Sequence, residues 1–214
     1  MAYDFDTIAR TYDRLNHLMT FGLDRCWRRR AVRRLQGNVL DVACGTGDMV
    51  LELMKRGCAV TGVDISEEMI SIAKNKARAT YMIADAEALP FPDASFDAVT
   101  CAFGVRNFVH LEQGLNEMLR VLKPGGRMVI LELATPDSKL LRPFYNFYTK
   151  HIIPWLGSRI AGNREAYTYL PESIERFPKG DTFLDIIQHS SFLIQHCRQR
   201  KLTFGVCRMY TVEK

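Results

Sequence analysis

The sequence predicts an α/β fold, a doubly wound and mostly parallel sheet of seven strands, and two observations point to it. Short apolar runs alternate with helical patterns between residues 38 and 133, and such alternation implies parallel strands covered on both faces. The runs end in succession at Gly45, Asp64, Asp85 and Phe103. That places those four residues at the carboxyl edge of the sheet, where ligands of open α/β sheets bind.

Taken in order, the chain opens with a helical segment, residues 1–36, in which Leu23, Trp27, Ala31 and Leu35 recur at helical spacing. Arg25, Arg28, Arg29, Arg30, Arg33 and Arg34 share this segment. They predict a basic face that is either solvated or set against anionic lipid headgroups. No aromatic platform or recognition motif accompanies them, which speaks against nucleic acid as a partner. Val39, Leu40, Val42 and Ala43 read as the first buried strand, with a helix over residues 48–56 directly after Gly45-Thr46-Gly47. A second strand spans 58–64, and Ser66 is placed to cap the next helix with Glu67 and Glu68 in its first turn. Residues 79–83, 96–103 and 127–133 supply the third to fifth strands; a helix over 111–122 is stopped by Lys123-Pro-Gly-Gly126.

Residues 134–180 break the alternation. Leu140, Leu141, Phe144, Tyr145, Tyr148, Ile152, Trp155 and Leu156 fall at helical spacing, with Pro143 and Pro154 marking starts or kinks. This predicts an aromatic helical cap inserted after the fifth strand, at the ligand edge. A helix over 181–189 and an antiparallel edge hairpin, 192–199 with 203–212, complete the expectation. The 214 residues suit a single domain carrying that cap.

Composition narrows the function classes. Charged residues make up 25 % and hydrophobic types 47 %, ordinary for a globular protein. No window approaches the ~18 consecutive apolar residues of a membrane span. The N-terminal stretch lacks both a basic and an apolar signal region, which predicts a cytoplasmic protein. Six cysteines are scattered without a Cys-x-x-Cys pair, which predicts free thiols and no zinc site. The five histidines lack metal-ligand spacing.

The chemistry concentrates at the strand ends. Gly45-Thr46-Gly47 lacks the third glycine of a dinucleotide loop, and Asp41 and Asp48 would repel a pyrophosphate. A cationic ligand suits them. S-adenosylmethionine has a sulfonium, an ammonium and no phosphate. Asp64 is placed to accept hydrogen bonds from both ribose hydroxyls and Asp85 from an adenine amino group, with the Ala86 amide on a ring nitrogen. Asp41, Gly45, Thr46, Gly47 and Ile65 complete the expected cofactor-binding set.

This order of motifs resembles the class I S-adenosylmethionine-dependent methyltransferases. Within them the whole chain resembles the C-methyltransferases of menaquinone and ubiquinone biosynthesis. Tyr12-Asp-Arg-Leu-Asn-His-Leu-Met-Thr20 through Trp27 is similar to that family's N-terminal signature, Phe103-Gly-Val-Arg-Asn107 to its segment after the fourth strand, and Arg120-Val-Leu-Lys-Pro-Gly-Gly126 through Glu132 to its second signature. Pro143 to Tyr148 and Tyr167-Thr-Tyr-Leu-Pro-Glu-Ser-Ile174 resemble its cap. The chain departs from the family's usual residues at Leu15, Thr20, Asp24, Ala102, Ala134 and Thr203-Phe-Gly205.

The resemblance implies methyl transfer to a ring carbon of a reduced, prenylated quinone. A naphthoquinol, demethylmenaquinol, is favoured, and a benzoquinol is the alternative. It implies Arg106 stabilising a developing phenolate, Asn107 orienting the ring hydroxyl, Tyr12 closing the site, and transient contact with a membrane surface. A non-catalytic cofactor-binding scaffold and an NAD-dependent oxidoreductase are the competing readings. The intact Arg106–Asn107 pair opposes the first and the missing glycine the second.

Overall fold

The computed structural model describes residues 9–160, 164–190 and 192–214. Residues 1–8 of the expected N-terminal segment and 161–163 of the expected cap lie outside them. Helices α1 (Ala9–Met19) and α2 (Leu23–Ala31) precede β1 (Asn38–Val42), α3 (Asp48–Met54), β2 (Ala59–Asp64), α4 (Glu67–Lys76), β3 (Thr80–Ile83), β4 (Phe96–Ala102) and α5 (Leu111–Val121). After β5 (Leu122–Leu133) come α6 (Arg142–Phe147), a π-helical turn at Tyr148–Ile152, α7 (Ile153–Ile160), α8 (Arg164–Arg176) and α9 (Asp181–Gln188). The hairpin β6 (His196–Leu202) and β7 (Cys207–Glu213) follows.

The strands form one sheet in the order β3-β2-β1-β4-β5-β7-β6, parallel from β3 to β5 and antiparallel at β7 and β6. The seven-stranded, doubly wound expectation therefore holds. The strand order reverses between β1 and β4, and a crevice opens there beyond the carboxyl ends. The apolar runs follow from burial on both faces. Leu40, Val99, Met128 and Ile130 meet Leu115, Met118 and Phe183 on one side, while Val39, Ala98, Val129 and Leu131 meet Trp27, Val50 and Leu53 on the other. Phe183 packs between Phe177 and Tyr210 at ring-centroid distances of 4.9 and 4.7 Å.

Ser66 caps α4 as expected, its side chain accepting from the Met69 amide at 3.0 Å. Three strand starts differ from the expectation by more than two residues. Leu122 already pairs with Phe96, so Lys123–Gly126 is a bulge within β5, and Lys123 ties it to Asp97 at 2.7 Å. The last hairpin starts at His196, because Phe192 packs against the core ahead of the strand under the Lys214 ammonium, 4.5 Å from its ring. Thr203–Gly205, expected to open the final strand, is instead the hairpin turn.

Candidate active site

Two cavities meet at the carboxyl edge of β1 and β4, and Tyr12 and Phe103 line both. The smaller, about 150 Å³, lies over the ends of β1, β2 and β3 and is bounded by Gly45, Asp64, Ile65, Asp85, Ala86 and Glu87. Among the described residues its lining contains three carboxylates and no lysine, arginine or histidine. Asp64 Oδ2 accepts the Gly45 amide at 2.7 Å and its Oδ1 the Ser66 amide at 3.0 Å. Asp85 Oδ1 takes the Glu87 amide at 2.9 Å. Glu87, which the sequence reading missed, anchors the far wall by accepting the amides of Val109 and His110 at 2.6 and 2.9 Å. Burial would raise its carboxyl, but these bonds and the His110 ring hold it below the usual range.

Three expected cofactor residues do not reach this cavity. Asp41 is 1 % exposed and lies beneath the loop in the middle of the sheet, taking the Thr100 hydroxyl at 2.6 Å. Burial pushes its carboxyl up to about 7 against that bond, and its Oδ2 has no partner. Gly47 turns at φ 85° into α3, and a Cβ there would sit 3.1 Å from Ala73 Cβ, so its smallness serves the packing of α3 on α4. Thr46 points the opposite way from Gly45. Its hydroxyl donates to Asp13 of α1 and accepts from Lys76 at 3.1 Å. Only Gly45 of the glycine loop lines the site.

The larger cavity, about 240 Å³, is walled by α1, α2 and the cap. Tyr145, Tyr148, Thr149, Ile153, Leu170 and Ile174 form the cap side; Asn16, Met19, Thr20, Leu23 and Trp27 form the N-terminal side. Phe21 lines it while 78 % exposed, which marks the mouth. Phe21 stacks on Tyr148 at 5.8 Å, and the Tyr148 hydroxyl donates to the Met19 carbonyl at 3.0 Å. Trp27 donates to the Thr203 hydroxyl at 2.9 Å and meets the Phe103 ring edge-on at 6.2 Å. Of the departures from the family pattern, Thr20, Asp24 and Thr203 line this cavity and Ala102 the smaller one.

Arg106 stands at the inner end of the larger cavity with its side chain 5 % exposed. It donates to Glu132 at 2.7 Å and to the Phe103 carbonyl. Burial alone would lower its pKa, but the Glu132 carboxylate outweighs that and raises it. Its Nε has no partner. Asn107, adjacent in sequence, lines the smaller cavity, and its Oδ1 accepts the Tyr169 hydroxyl of α8 at 3.1 Å. Burial raises the Tyr12 phenol against the opposing charges of Arg106 and Arg28, so it is neutral at pH 7. The structure thus places Tyr12 between the two cavities, Arg106 on the larger and Asn107 on the smaller.

Backbone strain gathers at the same place. Among the described residues six non-glycine residues have positive φ, and four of them, Phe21, Ala43, Phe103 and Thr203, line the two cavities. Such conformations cluster at ligand sites. Gly104 lets Phe103 adopt its turn, since a Cβ there would lie 2.6 Å from Ala43 Cβ.

Arg28, expected on the basic face, is buried: it pairs with Asp24 at 2.5 Å and lies over the Phe103 ring at 5.1 Å. The other five arginines of that cluster are exposed. His17, Asp24 and Asp48 gather within 4.8 Å of one another, but Arg28 and Lys76 already pair with those carboxylates.

A model of the ubiE/COQ5 methyltransferase family matches residues 2–214. The chain belongs to the ubiE/COQ5 methyltransferase family. It is 46 % identical to the ubiquinone/menaquinone biosynthesis C-methyltransferase UbiE of Geobacter sulfurreducens, over 98 % of this chain and 86 % of that protein. It is 43 % identical to the demethylmenaquinone methyltransferase of Thermus thermophilus, over 98 % and 99 %. Among solved structures, an S-adenosylmethionine-dependent methyltransferase of Thermotoga maritima, a possible histamine N-methyltransferase, superposes with a TM-score of 0.69 at 17 % identity, over 99 % of this chain and all of that one. At that identity the likeness shows the fold. Membership of the family makes the chain an S-adenosylmethionine-dependent methyltransferase.

Proposed function

We propose that the chain methylates a ring carbon of a prenylated hydroquinone, with demethylmenaquinol as the acceptor. One observation carries this reading: an acidic cavity, with no basic side chain among its described lining residues, meets an aromatic one at Tyr12 and Phe103, with Arg106 beside the junction. A cationic cofactor without phosphate suits the first, since the Gly45 amide that would face a phosphate is turned onto Asp64. Asp64 would hold the ribose hydroxyls, Asp85 and the Ala86 amide the adenine edge, and Ile65 its face. An apolar cavity of ~150 Å³ holds one benzene, so the larger one, about 240 Å³, has room for a fused two-ring head. The names of the relatives agree with this acceptor. The Geobacter name also covers ubiquinone biosynthesis, which supports a 2-methoxy-6-polyprenyl-1,4-benzoquinol as the second reading.

Bound S-adenosylmethionine supplies an electrophilic methyl on sulfur. The residues of this chain position the ring and manage its charge. Tyr12 and Phe103 set the passage between cavities, so the acceptor carbon can approach only in line with it. Arg106, protonated at all working pH, faces an oxygen that gains charge as the ring hydroxyl loses its proton. The Glu132 pairing fixes the guanidinium plane and favours its protonated form, and a guanidinium that stays protonated cannot be the base. The Asn107 carbonyl is taken by Tyr169, which leaves its NH₂ as the donor to a ring oxygen. A water would receive the hydroxyl proton, and the hydrogen displaced from the methylated ring carbon would return as a proton to the ring oxygen, so that one proton leaves for each methyl gained.

The exposed Phe21, Leu18 and Leu23 at the cavity mouth, with Phe144, Phe147 and Trp155 on the cap, and the exposed Arg25, Arg29, Arg30, Arg33 and Arg34 support contact with an anionic membrane surface. No helix among the described residues is long and apolar enough to cross a membrane. Residues 1–36 and 134–180 then serve as the acceptor side of one methyltransferase unit.

Supplying S-adenosylmethionine with chemically reduced demethylmenaquinol or, separately, the benzoquinol analogue, and weighing the products, tests the assignment. Methylated naphthoquinol is expected. Methylation of the benzoquinol alone moves the assignment to the second reading. Methylation of neither, by protein that binds S-adenosylhomocysteine, overturns both.

A further inference from the structure

The glycine loop has two faces, and the second carries a set of contacts that cofactor binding does not explain. Gly45 borders the smaller cavity, whereas Thr46 and the following Asp48 point towards α1. Asp13 of α1 accepts from the Thr46 hydroxyl and from the Lys76 ammonium at 2.5 Å. Lys76, in the last turn of α4, also reaches Asp48 at 2.7 Å. His17 and Arg28 extend the cluster to α2 through Asp24, at 2.8 and 2.5 Å. The same His17 and Arg28 approach Asp48 at 3.6 and 3.9 Å. The Asp13, Asp48 and Lys76 side chains are only 20 to 30 % exposed, so water screens these pairs less than it does a surface pair.

Asp13 follows Tyr12 on α1. At 3.6 residues per turn, consecutive side chains leave a helix about 100° apart. Asp13 can therefore grip the loop while Tyr12 faces the junction of the cavities. The helices held in this way supply the N-terminal wall of the acceptor cavity. A ligand that fixes Gly45 fixes the neighbouring Thr46, and through Asp13 it fixes that wall.

We propose that Lys76 is a positioning residue: with Thr46 and Asp13 it ties the α1–α2 wall of the acceptor cavity to the cofactor loop, so that cofactor and quinol bind with positive coupling. This rests on the two assignments made above. The coupling is reciprocal: each ligand tightens the other by the same factor.

Calorimetry with S-adenosylhomocysteine and an oxidised short-chain menaquinone measures that factor. In the native protein each ligand at saturation should tighten the other about tenfold, within the usual range of such couplings. Lys76→Met and Asp13→Asn should bring the factor down to about one to two, with S-adenosylhomocysteine alone bound within about twofold of native. Lys76→Arg, which keeps the charge, should restore it. In turnover, Lys76→Met should raise the quinol KM while the cofactor KM moves little. A loss of packing alone would not produce that split. Unchanged coupling in Lys76→Met, or none in the native protein, overturns the proposal. Failure of the native protein to bind S-adenosylhomocysteine overturns the cofactor assignment and the coupling with it.

Discussion

Arg106 and Glu132 are a buried pair, 5 % and 1 % exposed, so removing one partner leaves the other charged and unmatched. Such a loss costs about 3–5 kcal/mol. Arg106→Met should therefore lower both stability and turnover, whereas Arg106→Met with Glu132→Gln separates the two effects. The double variant should fold, bind S-adenosylhomocysteine as the native protein does, and lose turnover about 10²-fold or more, as removal of an oxyanion donor does. Near-native turnover would remove Arg106 from the chemistry. Asp41 makes a different demand. Its carboxyl sits at about 7, above the ordinary 3.8, so between those values the native state holds more protons than the unfolded one. Its contribution to stability is present below about pH 4 and is lost as pH rises through about 7. Asp41→Asn lacks that loss, so its denaturant midpoint relative to native should improve from pH 5 to pH 8. A pH-independent difference would show that Asp41 does not titrate there. Asp64 and Asp85 were legible in the sequence because strand ends fix their edge of the sheet. Thr46 and Gly47 were not, since the sequence of a tight loop does not tell which side its residues turn to, and Asp41 was not, since it lies inside β1, buried short of the strand end.

At the level of elements, burial on both faces made β1, β2, β4 and β5 readable as apolar runs. The edge strand β6, His-Cys-Arg-Gln-Arg-Lys-Leu, is charged and half exposed, a pattern that protects a sheet edge and hides it from a search for apolar residues. The preceding Phe192-Leu-Ile drew the expected boundary upstream, although Leu193 is 86 % exposed. The turn at Thr203, Phe204 and Gly205 runs through positive φ at 44, 56 and 90°, a conformation that threonine and phenylalanine do not advertise. The cap was readable as helical and aromatic, but its π-helical turn, which sits between Tyr145 and Ile153, was not. Leu170 on α8 lines the acceptor cavity and is half-buried. Leu170→Trp should narrow that cavity and raise the quinol KM about tenfold, an overpacking cost of ~1–2 kcal/mol. Binding of S-adenosylhomocysteine should not change. Equal weakening of both ligands would show that the two cavities are not separate sites.

For the molecule as a whole, the order β3-β2-β1-β4-β5 puts the proposed cofactor side over the first three strands and leaves the proposed acceptor side largely to segments outside the sheet. The net charge of +5 is unevenly distributed: the acidic strand ends make one cavity negative, while exposed arginines make a basic α2 face. The proposed membrane contact draws on both the exposed arginines and the apolar mouth. The protein should therefore sediment with anionic vesicles at low salt, release as salt shortens the screening length to about 3 Å near 1 M, and ignore zwitterionic vesicles. Salt-insensitive binding would assign the contact to the apolar rim alone, and no binding would leave the cap to capture the tail unaided.

The chain has two tryptophans, and they lie in opposite settings. Trp27 is sealed against Phe103 in the acceptor wall, and Trp155 is 56 % exposed on the cap. A quinone accepts an electron from an excited indole that it touches. On the proposed assignment, ultraviolet emission from Trp27 should dim as an oxidised quinone head group enters and persist with the reduced quinol, and Trp155→Phe leaves that signal alone in the spectrum.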